Sequence, residues 1–276
     1  MMVKFRDLKR KWQLLIYLLP VLISILFLKY IFHVMDWEII SLNALFTSIV
    51  AATTFLLGFL IAGVISDYKE SEKIPGELAC SLETIYDEVS ILQAHKRCAA
   101  TEEFMIFYSG LLVSIESWFY RKERTQNLMM KLSEMNEFFY RFEPLTQANF
   151  IVRLKQEQNS IRKTITRIHT IRETSFIQSG YAIVEALAAL LIVGLLMLKM
   201  EPVYEAMFIA GLVSFLVLYM ILLIKELDNP FNYAAKADSV NNISLKPLHD
   251  LMRRTDPEVR SAAAPVPAKA MDEGRD

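Results

Sequence analysis

Cysteine is scarce in this 276-residue chain: there are two, Cys80 and Cys98. Both lie in the long middle segment, where a cytosolic location would keep them as reduced thiols rather than a staple. A glycine-rich phosphate loop and an internal repeat are both missing, which removes the common nucleotide-binding and solenoid signatures. An excess of either charge is missing too. Thirty Lys and Arg stand against 31 Asp and Glu, for a net charge of −1, so nothing points to nucleic acid as a partner. No Ser/His/Asp set or other catalytic spacing stands out, so the chain reads as no enzyme and no cofactor is expected. His95, Cys98 and Glu102, at i, i+3 and i+7, share a helix face and are ligand-capable. A zinc site needs more ligands and outer hydrogen-bonding partners, and no metal is assigned.

What the chain has in excess is apolar surface. It is 54% hydrophobic, with a mean hydropathy of +0.30, against about 45–50% apolar for a soluble domain. The excess falls in four runs, which argues for membrane spans rather than an oversized core.

The first run, from about Gln13 to Phe32, follows a basic start of Lys4, Arg6, Lys9, Arg10 and Lys11 against one acid, Asp7. It is longer than the core of a signal peptide, and Ile31-Phe32-His33-Val34 offers no small-residue cleavage site. It therefore reads as a retained span. Trp12 and Trp37 would mark the two interfaces, and Lys29, near the outer end, is expected to snorkel to the headgroups. The connection from His33 to Ser41 holds Asp36 and Glu38 and no Lys or Arg. Positive charge stays on the cytoplasmic side, so the start is predicted inside and this connection outside, with His33, Asp36 and Glu38 as polar loop residues.

The second run, from about Leu42 to Ile65, returns to the cytoplasm near Ser66. A span needs about 20 apolar residues at 1.5 Å rise each. Ala44, Ser48, Ala51, Thr54, Gly58 and Ala62 recur every three or four residues and share one helix face. Small residues in a membrane helix let backbones approach, either in packing or around a pore axis, and periodicity by itself leaves both open.

About 110 residues without a span follow, and their apolar residues fall on helical stripes. One stripe runs through Leu78, Leu82, Ile85, Val89 and Leu92. A second runs through Phe104, Tyr108, Leu111, Ile115 and Trp118, and a third through Leu128, Leu132, Met135 and Phe139. Pro144 breaks the chain. A fourth stripe follows at Ile151, Leu154, Ile161, Ile165 and Ile168, interrupted by Gln158. This predicts a helical bundle. Arg153, Lys155, Arg162, Lys163, Arg167 and Arg172 on the last helix fit acidic lipid headgroups, an ion vestibule or a solvated face, the last being the default for a charge run.

The third span is predicted from about Gly180 to Leu198 and contains Glu185. A carboxylate inside a span is costly and marks a candidate functional site, unless it reaches interfacial water or a basic partner such as Arg172. Lys199, Glu201 and Pro202 form the next outside turn, and the fourth span runs from about Val203 to Ile224. Pro230, without an N–H, should end that helix. Ser261 to Ala270 is poor in core-forming residues and is expected to be disordered. The expected architecture is an all-α integral membrane protein with four transmembrane helices. Residues 1–66 hold the N-terminus and first two spans, 67–179 a helical cytoplasmic domain, 180–226 the last two spans and 227–276 a cytoplasmic tail.

Two stretches resemble the bestrophin family of ion channels. Phe55-Leu56-Leu57-Gly58-Phe59 is similar to that family's pore neck, where two phenylalanines four apart face the axis with an aliphatic residue one turn before. The corresponding positions here are Ala51, Phe55 and Phe59. Shortly after, Glu70, Lys73, Gly76, Glu77 and Leu78 match a bacterial bestrophin pattern. The second stretch, Glu226-Leu227-Asp228-Asn229-Pro230-Phe231, resembles the ending of the family's last span, with Asn232 where glycine is usual. The acidic run that follows in animal members is absent, so calcium gating is not implied.

The resemblance implies a homopentamer in a bacterial inner membrane, with both termini cytoplasmic and one axial pore narrowed by the phenylalanine neck. Thr54, Gly58 and Ala62 would line that pore or pack helices. The implied activity is passive conduction of monovalent ions, anions such as chloride rather than cations, with further copies of the chain and membrane lipids as partners. A different reading of the same layout is a non-conducting, membrane-anchored helical interaction or signalling module whose working parts are the middle segment and the tail.

Overall fold

The computed structural model describes residues 12–173, 178–233 and 242–256. The basic start (Lys4 to Lys11) and the Ser261 to Ala270 tail lie outside the described residues. The described chain is built of helices: α1 (Gln13–Val34), α2 (Ala44–His95), α3 (Ala99–Phe119), α4 (Thr125–Phe142), a 3-10 turn (Glu143–Leu145), α5 (Ala148–Glu173), α6 (Gln178–Met197), α7 (Val203–Leu227) and α8 (Lys246–Thr255). One pair of two-residue strands, β1 (Ile40–Ser41) and β2 (Leu198–Lys199), departs from the all-α expectation. The pair is parallel, with Ile40 opposite Leu198 and Ser41 opposite Lys199. It ties the connection after α1 to the end of α6.

The residues group into two units, Met1–Ser71 with Ile171–Ile243, and Glu72–Thr170 with Ser244–Asp276. The first holds the four helices long and apolar enough to cross a membrane, α2 contributing its first part. There α1 packs on α7 and α6, and α6 packs on α7. Phe46, Leu57 and Val64 of α2 share one buried cluster with Val184, Leu191 and Leu195 of α6 and Val217 and Ile224 of α7.

The second unit buries the stripes read from the sequence. Leu78, Leu82, Ile85 and Val89 are fully buried, as are Phe104, Tyr108 and Ile115, and Leu128, Leu132, Met135 and Phe139. Phe104 is the aromatic centre, edge-to-face with Phe138 at 5.4 Å and with Phe142 at 5.6 Å between ring centroids, the arrangement that ring quadrupoles favour. Gln158, which breaks the α5 stripe, is buried there with its side-chain N–H donated to the Leu132 carbonyl at 2.5 Å. The Tyr108 hydroxyl donates to the Leu82 carbonyl at 2.9 Å. Burial pushes the Tyr108 phenol well above its ordinary value, with Tyr86, Glu83 and Asp87 adding to the effect.

The helix that carries the second span does not end at Ser66. α2 continues unbroken for 52 residues, with Pro75 inside it. Proline in a helix interior removes one hydrogen bond and costs about 3 kcal/mol. Ile74, Leu78 and Leu82 lie on the buried stripe of the same helix. Burying each such side chain contributes about 1.5–3 kcal/mol, so the stripe outweighs the proline. At the other break the proline prevails. α4 stops at Phe142 and Pro144 sits in the 3-10 turn.

Candidate functional site

The stripe singled out in the second span is the uncovered side of α2. Ala51, Thr54, Phe55, Phe59 and Ala62 are exposed and Gly58 half-buried, while Phe46, Thr53, Leu57 and Val64 on the opposite side are buried. Phe55 is 78% and Phe59 70% exposed, a large apolar display for two rings one turn apart. The hydroxyls on this helix are satisfied locally. Ser48 donates to the Ala44 carbonyl at 2.8 Å, Thr53 to Ile49 at 2.9 Å and Thr54 to Val50 at 2.9 Å. No polar atom of the stripe therefore needs a partner from elsewhere.

Glycine packing within the chain occurs at other places. A Cβ on Gly58 or Gly63 would meet nothing within 4 Å. A Cβ on Gly194 of α6 would fall 2.9 Å from the Phe46 ring of α2, and one on Gly211 of α7 would fall 3.2 Å from Leu26 of α1. These two glycines let the spans approach, as small residues do in membrane helices. Sequence reading did not single them out, and Gly194 has no small residue three or four positions away to mark it.

The end of the spans that carries the α1–α2 connection holds a polar cluster the sequence did not announce. α1 finishes in a Schellman turn. The Trp37 N–H bonds to the Phe32 carbonyl at 2.9 Å and the Asp36 N–H to the His33 carbonyl at 3.1 Å. Asp36 takes the left-handed conformation, at φ 54°, which aspartate tolerates better than most residues. Phe32 and Trp37 close the turn edge-to-face at 5.4 Å. The reversal brings Glu38 back to α1.

Lys29 does not snorkel; it is 1% exposed. Its three N–H groups meet three acceptors: Glu38 Oε1 at 2.6 Å, the Leu198 carbonyl at 2.5 Å and the Leu196 carbonyl at 3.3 Å. The Leu196 carbonyl lies in the last turn of α6, where helix carbonyls lack intrahelical donors and the dipole favours a cation, and the Leu198 carbonyl lies just beyond it in β2. Glu38 Oε2 takes the ring nitrogen Nδ1 of His33 at 3.0 Å. Burial pushes the Glu38 carboxyl up, but the hydrogen bonds and charges of Lys29 and His33 outweigh it and hold the carboxyl below its ordinary value. His33 and Glu38 are thus not plain loop residues. Asp36 fits the sequence reading better, exposed and 3.5 Å from Lys199.

Glu185 of α6 is half-exposed and paired with Lys225 of α7 at 2.5 Å, rather than with Arg172. Helix spacing could not find Lys225, because it lies on a neighbouring span.

The Asp228-Asn229-Pro230-Phe231 motif is a junction. α7 ends at Leu227 with Asp228 as its cap, close to the stop that Pro230 predicts. Asn229 Nδ2 donates to the Arg172 carbonyl at 3.4 Å. Pro230 and Phe231 are buried. The Pro230 carbonyl accepts from the Ile243 N–H at 3.2 Å, and the Tyr233 hydroxyl donates to the Ile243 carbonyl at 2.7 Å. The motif positions chain segments and presents no ligand set. Among the described residues, no three His, Cys, Asp or Glu converge to hold a metal ion, and because α2 ends at His95 and α3 begins at Ala99, His95, Cys98 and Glu102 do not share the one helix face that their spacing predicts.

No protein-family model matches the sequence, and no curated protein does. Solved structures do. A crystal structure described as that of a membrane protein matches with a TM-score of 0.73 at 13% identity, over 86% of this chain and 97% of the other. A bacterial bestrophin homolog from Klebsiella pneumoniae, solved by Zn-SAD phasing, matches with a TM-score of 0.70 at 13% identity, over 87% of this chain and 96% of its own. A substituted form of that homolog gives 0.70 at 14% identity, over 92% and 99%. With four apolar helices of membrane-spanning length and this likeness across most of its length, the chain is an integral membrane protein with the bestrophin-like fold.

Proposed function

We propose that this protein is an ion channel. Five copies surround an axial pore lined by the uncovered stripe of α2, with Ala51, Phe55 and Phe59 as its neck and Thr54, Gly58 and Ala62 beside it. The observation that carries this reading is the exposure of two phenylalanines on a span whose opposite side is packed, in a chain with the bestrophin-like fold. Repeated around an axis, Phe55 and Phe59 make two stacked aromatic rings, and a hydrophobic constriction of that kind gates by dewetting. Conduction is passive and of monovalent ions, anions before cations. The assembly sits in a bacterial inner membrane with both termini on the cytoplasmic side.

The test is current across a planar bilayer holding the purified protein under a salt gradient, against the Phe55→Ala, Phe59→Ala double variant. A current whose size or rectification changes in the variant supports the channel and its neck. Silence from both proteins, each shown to be folded and oligomeric, moves the reading to a membrane-anchored interaction module.

A further inference from the structure

Phe55, Phe59, Ala62, Ser66 and Lys69 succeed one another at intervals of four and three residues on α2. At 3.6 residues per turn they stand in one line, and all five are exposed. From Ala44 to Lys69, Lys69 is the one ionisable side chain on that line. Asp67 is turned away by about 200° and Glu70 by about 100° around the helix. Among the described residues no carboxylate pairs with Lys69, whereas Glu70 is engaged.

We infer that Lys69 selects the sign of the permeating ion. The inference rests on the channel reading above and deepens it. A phenyl ring carries no net charge, so the neck can close the path to water but cannot tell an anion from a cation. Ten residues beyond Phe59, about 15 Å at 1.5 Å rise each, the line meets its first charge. Repeated around the axis, Lys69 makes a ring of ammonium groups at the mouth of the neck. Lysine and arginine rings are how anion pores select. A charge of one sign lining a cleft raises the local concentration of its counter-ion by about tenfold or more. The unpaired state of Lys69 matters here, because a carboxylate partner would cancel that field.

The experiment is the reversal potential in planar bilayers under a potassium chloride gradient, for the unchanged protein and for Lys69→Gln, Lys69→Glu and Glu70→Gln. The expected result is an anion-selective unchanged channel. Lys69→Gln weakens that preference, Lys69→Glu lowers the chloride-to-potassium permeability ratio by about tenfold and reverses the sign, and Glu70→Gln leaves the sign alone. A second readout uses Lys69→Cys with Cys80 and Cys98 replaced by serine. A cationic thiol reagent should restore the anion preference and an anionic one should invert it. A current that the neck replacements alter and the Lys69 replacements do not overturns the role of Lys69 and leaves the channel standing. Silence from the unchanged protein and the neck variant together overturns both.

Discussion

Lys29 Nζ lies 2.6 Å from Glu38 Oε1, with the two side chains 2% and 3% exposed. Two opposite charges are thus withdrawn from water at one end of the spans. Removing charges from water costs several kcal/mol per ion, which their attraction offsets only when the remaining hydrogen bonds are also made. Here they are, through the Leu196 and Leu198 carbonyls and His33. The pair joins α1, the connection after it and the end of α6.

Breaking the pair from one side should therefore cost far more than deleting it from both. Lys29→Met alone leaves Glu38 buried without its main partner, a loss of about 3–5 kcal/mol. Lys29→Met with Glu38→Leu should recover much of that. Thermal unfolding in detergent checks this, and a double variant less stable than either single one would contradict it.

The same pair gives a pH dependence of known sign. The Glu38 carboxyl is held below its ordinary value in the folded state. Its contribution is fully present above the unfolded glutamate pKa of about 4.3 and is lost as pH falls through the lower folded value. The stability advantage of the unchanged protein over Glu38→Gln should be constant near neutrality and shrink below about pH 4. An advantage that grows on acidification would reverse the assignment.

Gly194 and Gly58 should respond oppositely to alanine. Gly194→Ala puts a methyl against the Phe46 ring, and overpacking of this kind costs about 1–3 kcal/mol. Gly58→Ala meets nothing in the chain and should leave monomer stability unchanged or raised. Phe46→Leu should rescue Gly194→Ala. Equal melting temperatures for the two glycine variants would argue against the close approach of α2 and α6.

Tyr108 gives a test in the other unit. Tyr108→Phe removes the hydrogen bond to the Leu82 carbonyl, worth about 1 kcal/mol. Because burial raises the phenol's folded pKa, the folded state keeps a proton that the unfolded state releases above about pH 10. The unchanged protein should therefore lose stability at alkaline pH relative to Tyr108→Phe. Comparing their unfolding midpoints at neutral and alkaline pH measures this, and parallel curves would contradict it.

Much of the fold was legible because its signals are local. Apolar runs of spanning length and stripes at helical period are properties of neighbouring residues, so four spans and the buried stripes of α2 to α5 could be read directly. The Pro230 stop was equally local, since the missing N–H acts within one turn. The continuity of α2 through Pro75 was not, because whether a proline breaks a helix depends on how much surface the helix buries beyond it.

By itself the sequence determined which faces are apolar, which four runs are long and apolar enough to span a membrane, and which line of α2 carries Phe55, Phe59 and Lys69, since apolar length and helical spacing are local properties. The tertiary structure alone decided the partners. Lys29 finds carbonyls 167 and 169 residues away, Glu185 finds Lys225 on the next span, and Gly194 finds Phe46. A side chain's chemistry states what it needs. Which distant group satisfies that need depends on how the helices pack, and packing is a property of the whole chain.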